Sequence, residues 1–161
     1  MNSATNPSVV DNCTHSKIVL ITEWYTHIEK CEKALKDYLE VKKKVFPRFY
    51  FLPDETLLDV LSNGKYPLKV AKYLKACFIG MTNLEFLPPK KKGMITRQAV
   101  GMYSKEGEYV EFNNGKLGKT VYEAIGEVEH WLNELELMMK LSLNTQLSIA
   151  RETCRETWET V

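Results

Sequence analysis

Four aromatic side chains, Phe46, Phe49, Tyr50 and Phe51, crowd into six positions around Pro47 and just ahead of Pro53. No other stretch of the 161-residue chain is so dense in large apolar groups. Phe46 precedes a proline, which biases its backbone out of the helical region into an extended one. Pro47 has no N–H and cannot continue a helix arriving from the Lys42–Lys44 side. The stretch therefore reads as a short, extended connector between helices. Its three or four rings should form a buried peg, each contributing about 1.5–3 kcal/mol by leaving water.

Bulk composition bounds the rest. The length is that of one domain, and 44% hydrophobic with 27% charged residues is ordinary for a globular fold. Basic and acidic side chains nearly balance, 22 against 21. Net charge thus gives no attraction to nucleic acid or to an anionic membrane, and neither is expected as a partner. Cys13, Cys31, Cys77 and Cys154 stand singly, which argues against zinc ribbons and thioredoxin-type chemistry. The apolar run Ile18–Ile21 is far too short for a membrane span. An intracellular chain with reduced thiols is the expectation.

In chain order, residues 1–16 are polar and without pattern, and read as disordered or as a non-family N-terminal tail. Ile18, Ile21, Tyr25, Ile28, Leu35 and Leu39 follow a helical spacing, broken at Glu32. A helix over about 18–44 follows, with Lys42–Lys44 as its solvated, dipole-favoured end. Pro53-Asp54-Glu55 marks a helix start, giving a helix over 54–62 that Gly64 stops in the left-handed conformation. Pro67 opens another over about 67–82, burying Val70, Leu74, Cys77, Phe78 and Met81. Cys77 on that face reads as core rather than nucleophile. A Pro-Pro-Lys-Lys-Lys-Gly run from Pro88 is a loop. Two strands around a glycine-containing turn then make a β-hairpin over about 98–112. Val121, Ile125, Val128, Leu132, Leu135 and Met139 bring back the helical period over about 121–157. The expected fold is mainly α, an elongated helical bundle segment with one inserted β-hairpin.

Chemistry is sparse. Asn113-Asn-Gly-Lys-Leu-Gly-Lys-Thr120 ends like a phosphate-binding loop between a strand and a helix. The full pattern needs glycine where Asn113 stands. A small nucleotide-binding protein using this degenerate loop at 113–120 is the enzymatic alternative. Glu127-x-x-His130 has the spacing of a di-iron bundle ligand pair but occurs once, where two copies are required. No catalytic, cofactor-binding or metal-binding residues are therefore assigned. By its residues alone the chain reads as a non-catalytic helical module, and a free-standing helical adaptor is a further alternative.

Several blocks add a resemblance. Tyr38-Leu-Glu-x-Lys-Lys, Phe46-Pro-Arg-Phe-Tyr-Phe-Leu52, Leu57-Leu-x-Val-Leu-Ser62, Leu74-Lys-x-Cys-Phe78 and Leu84-Glu-Phe86 occur in that order. They are followed by Gly101-Met-Tyr-Ser-Lys-Glu-Gly-Glu-Tyr-Val-x-Phe112 and by Gly126-x-Val-Glu-x-Trp-Leu-Asn133. Together, from about 28 to 142, they resemble the linker region of dynein heavy chains. The hairpin wording is most similar to axonemal outer-arm chains of the beta type. Residues 1 to about 25 do not look like that family, and the match thins after Ser142.

The resemblance implies a fragment, the partial linker over 17–161, acting as a mechanical lever. ATP-driven changes in a ring of AAA+ modules would bend it and produce microtubule-based movement in a cilium axoneme. ATP and magnesium would belong to that ring and not to this segment. The implied partners are the ring of the same heavy chain and, through the complex, intermediate and light chains and microtubules. Phe46, Pro47, Arg48, Phe49, Tyr50, Phe51 and Trp131 are expected to be structural. The hairpin residues Tyr103, Glu106, Gly107 and Tyr109 are expected to offer a contact to the ring.

Overall fold

The computed structural model describes residues 8, 15–89, 95–113 and 120–159, with side chains described from 17 and up to 155. The chain divides into two compact units, Met1–Val41 and Lys42–Val161. Helix α1, His15–Val45, runs through the boundary.

In the first unit every residue from 18 to 38 is exposed, and Leu39 is buried. The helical spacing expected here exists, but Ile18, Ile21, Tyr25, Ile28 and Leu35 all face solvent. The stretch draws local support from a 2.7 Å Glu32–Lys36 pair one turn apart.

The second unit starts with the last turn of α1. A 3-10 helix follows, η1, Pro47–Phe51. Then come α2, Asp54–Ser62, α3, Pro67–Cys77, and strands β1, Met81–Phe86, β2, Gln98–Ser104, β3, Tyr109–Glu111, and β4, Tyr122–Glu123. Helix α4, Val128–Glu159, closes the described chain. The fold is mainly α with an inserted β element, as the sequence led us to expect. No described helix is long and apolar enough to cross a membrane.

The β element is larger than a hairpin. β2 and β3 form the expected antiparallel pair, with Tyr103 opposite Tyr109. β1 adds on the other side of β2, and β4 pairs with the start of β2 through Gln98 and Ala99. Two glycines explain the misplaced boundaries. The helix expected over 67–82 stops at Cys77, because Phe78 is already extended and Gly80 takes a φ of +89°, outside what a helix allows. Met81 then enters β1 and is still buried, so its burial mimics one more helical turn. Likewise Gly126, also at φ +89°, bars a helix from 121. Val121 and Ile125 are exposed, and α4 begins at Val128.

Gly64 is a further correction. It does not take a positive φ, and Asn63 caps α2. A side chain at 64 would lie 3.1 Å from Val128 Cβ, so glycine here serves the close approach of α4.

Candidate functional site

The aromatic connector is a turn of 3-10 helix between two extended residues, Phe46 with φ −128° and ψ 94° and Leu52 with φ −99° and ψ 136°. A 3-10 helix has three residues per turn, so positions three apart share a face. Phe46, Phe49 and Leu52 fall on that face and are buried. The rings of Phe46 and Phe49 meet edge-on at 4.9 Å, and Phe46 also touches Phe78. Tyr50 and Phe51 lie off this face and are exposed, so the peg has two rings rather than four. Lys43 sits over the Tyr50 ring, its Nζ 5.5 Å from the centroid. Pro47 is exposed and serves only to open η1.

Around the peg, three polar residues of α4 hold the end of α1 and η1. Glu129, Asn133 and Glu136 recur at four and three residues, which places them along one line of the helix surface. Their partners, Lys42, Val45 and Arg48, recur every three residues. The Lys42 ammonium bonds to Glu129, whose side chain is buried. The Asn133 amide donates to the Val45 carbonyl at 3.0 Å, satisfying an acceptor that the end of α1 leaves open. Arg48 grips Glu136 with two N–H groups, at 3.0 and 3.3 Å. Its third nitrogen donates to the Cys77 carbonyl at 3.2 Å, and its guanidinium carbon lies 4.9 Å from the Phe78 centroid. Lys43 adds a 2.9 Å bridge to Asp54 at the start of α2.

The lysine run is therefore not a plain solvated helix end. Lys42 and Lys43 are mostly covered, with side chains 16% and 12% exposed. Glu129 gains a second stabilisation from the positive end of α4, in whose first turn it lies. Its other oxygen, Oε2, is buried without a hydrogen-bond partner among the described residues.

Trp131 is fully buried and acts as a second nail. Its indole N–H donates to the Gly64 carbonyl at 3.3 Å, and its own carbonyl accepts the Tyr122 hydroxyl. One residue thus joins α4, the α2–α3 loop and β4. Burial pushes the Tyr122 hydroxyl well above the usual phenol range. Burial likewise raises the Cys77 thiol to about 11, leaving it protonated and inert, as a core cysteine should be.

Arg48 foremost, with Lys140 beside it, lowers Glu136 from 4.5 to about 2. A carboxylate depressed on folding stabilises the fold above its unfolded value and loses that contribution as pH falls through the folded one. Stability should therefore decline between about pH 4.5 and pH 2 more steeply in the parent chain than in Glu136→Gln. Because solvent reaches both side chains, the pH-dependent part should be about 1–2 kcal/mol, less than the full shift implies. Urea midpoints measured across this range check it; parallel profiles would contradict the pairing.

The hairpin residues lie apart from this clamp in the fold. Ser104 closes the turn, its hydroxyl accepting the amides of Glu106 and Glu108 at 3.2 and 3.0 Å. Gly107 supplies the φ of +87° that the turn requires. The rings of Tyr103 and Tyr109 meet at a tilt, their centroids 5.2 Å apart and their planes at 47°. The phosphate-loop reading fares poorly. Residues 114–119 lie outside the described residues, but the flanks do not suit it. β3 is a short antiparallel strand, and Thr120 leads into β4 rather than into a helix whose N-terminus could hold phosphate. Glu127 and His130 are both exposed at the start of α4.

Sequence reasoning singled out Phe46, Phe49, Arg48 and Trp131; the first two meet edge-on beside Phe78, which Arg48 also covers, while Trp131 bonds separately to Gly64 and Tyr122. It missed the Lys42–Glu129 and Val45–Asn133 contacts and gave Arg48 no partner. The one available signal was the four-three recurrence of Glu129, Asn133 and Glu136 beside the apolar stripe of α4. Ser142 was missed too: it is fully buried, and its hydroxyl accepts the Asn113 amide at 2.9 Å while donating to the Met138 carbonyl.

Over 132 residues, 80% of its length, this chain is 42% identical to the ciliary dynein beta chain of Heliocidaris crassispina. Identity is 38% over 150 residues, 92% of this chain, to the flagellar outer-arm dynein beta chain of Chlamydomonas reinhardtii. It is 39% over 132 residues to human dynein axonemal heavy chain 9. The chain spans about 3% of the length of these relatives. The family described as dynein heavy chain, N-terminal region 2, matches residues 1–150. The chain therefore belongs to the dynein heavy chain family, in its N-terminal region 2.

Proposed function

We propose that this chain is a non-catalytic lever segment of a ciliary dynein motor. It couples ATP-driven changes in the AAA+ ring of the same heavy chain to movement along microtubules. The observation that carries the reading is the clamp of Lys42, Val45 and Arg48 on Glu129, Asn133 and Glu136. A lever must resist bending at its joints. Two buried rings flanked by ionic and hydrogen-bonded contacts fix the end of α1, η1 and α4 against sliding and rotation. Apolar burial alone resists separation but not slip, because it has no direction; the bidentate Arg48–Glu136 contact supplies the direction. ATP and magnesium act in the ring, and this segment contributes stiffness. The relatives are named as ciliary, flagellar and axonemal chains, which supports an axonemal setting; intermediate and light chains are its proposed neighbours there. The β2–β3 hairpin, with Tyr103 and Tyr109, is the part of the segment proposed to meet the ring.

The test is made in a whole heavy chain. Arg48→Ala with Glu136→Ala in this segment should leave microtubule-stimulated ATP turnover intact and slow microtubule gliding. Unchanged gliding would overturn the lever reading. Calorimetry of the 161-residue chain with magnesium-ATP tests the non-catalytic part: saturable binding that disappears in Lys119→Ala would overturn it.

A further inference from the structure

Beside β4, the helix α4 forms one wall of a cleft of about 300 Å³. Glu134, Leu137, Met138 and Leu141 line it from α4, at spacings of three and four that bring them onto one face. Val121 and Glu123 line it from the β4 side. This face lies about a third of a turn round α4 from the clamp residues, so the cleft can be filled without disturbing them. Its apolar walls are open: Leu137 is 59% exposed and Val121 47%. An exposed apolar patch rimmed by polar groups marks a place where another molecule settles. The volume is at the low end for ligand pockets, about 300–1,000 Å³, and suits one or two side chains rather than a whole cofactor.

The rim is acidic. Glu123 and Glu134 are exposed, one on each wall. Neither carboxylate has an ion pair or a hydrogen bond among the described residues. Lys140, the next lysine along α4, is already held by Glu136 at 2.7 Å. Arg97 lines a separate cleft that Glu123 also borders, and forms no ion pair with it. Burial, and after it the negative charge of Glu134, raises the Tyr122 hydroxyl, which sets that charge beside the cleft.

We propose that this cleft docks a helix of a partner protein, one that presents an aliphatic side chain with a lysine or arginine on either side of it. The aliphatic group enters between Val121 and Leu137, and the unbranched, flexible Met138 adjusts to its shape. The flanking cations reach Glu123 and Glu134 on the two walls. Apolar burial supplies affinity, while the charges select the partner and its orientation. The carboxylates repel phosphate, which sets nucleic acid and anionic lipid aside. With two residues, β4 is too short to recruit an added strand, so the helix-in-groove mode is the one that fits. The proposal goes beyond the lever reading, since the cleft can dock a partner whether or not the segment transmits force.

The experiment follows the Met138 methyl signal by NMR in the 161-residue chain carrying methyl-labelled methionine. The probes are a short stapled helical peptide with leucine flanked by lysines one turn to either side, and its counterpart with glutamates in place of the lysines. The lysine peptide is expected to move the Met138 signal and to bind more weakly as salt rises. Glu134→Gln should weaken binding about two- to fivefold, and Leu137→Ser about tenfold. Both positions are exposed, so both variants should keep the fold. An unmoved Met138 signal, or equal binding of the two peptides, would overturn the proposal. A Met138 shift that follows protein concentration alone would give the cleft to a second copy of the chain and overturn the choice of partner.

Discussion

Phe49→Ala is expected to lower the unfolding free energy by about 3–5 kcal/mol, whereas Phe51→Ala should change it by no more than about 0.5 kcal/mol. The two residues are two positions apart and chemically identical. They differ in that Phe49 is fully enclosed and Phe51 is 67% exposed. Removing Phe49 takes away the edge-on contact with Phe46 and leaves a cavity that the proline-stiffened η1 cannot collapse to fill. Urea denaturation of both variants, with the slope compared as well as the midpoint, checks this directly. Equal losses would mean that Phe51 is buried too, and that the three-residue periodicity of η1 has been misread.

Trp131→Ala should produce a loss of similar size, about 3–5 kcal/mol. A milder change separates its two contributions. Trp131→Phe keeps most of the apolar volume but abandons the Gly64 carbonyl, and should cost on the order of 1 kcal/mol from the hydrogen bond. The alanine variant should also loosen β4, since Tyr122 hydrogen-bonds to the backbone of this residue. Amide exchange at Tyr122 and Ala124 should accelerate in Trp131→Ala beyond any change in distant α3. Uniform acceleration would show that the tryptophan stabilises the whole unit without linking β4 to it.

The sequence disclosed those elements whose burial follows a single period. Leu57 and Val60 in α2, Val70, Leu74 and Cys77 in α3, and Val128, Leu132 and Leu135 in α4 all lie in the core where their spacing put them. Boundaries failed where a buried residue of one element continued the period of its neighbour, as Met81 did for α3. A strand of two residues such as β4 carries no period at all. The clamp was invisible for another reason. Its contacts join residues 87 and 88 positions apart, and charge at one site says nothing about which distant charge will face it. Tyr50 and Phe51 were misplaced because composition alone does not tell a 3-10 turn from an extended strand, and the two bury different residues.

The paired spacing of the clamp places a demand on length. Along α4 the three gripping residues stay in line only while seven residues separate Glu129 from Glu136. Inserting or deleting one residue there would swing everything beyond it by about 100° around the helix axis. Arg48 would then face a different side chain, even if Lys42 kept its partner. Between these positions, homologous chains can exchange outward-facing residues freely, yet should tolerate no change in residue number. The segment is thus a ruler as much as a support, its graduation set by the pitch of one helix.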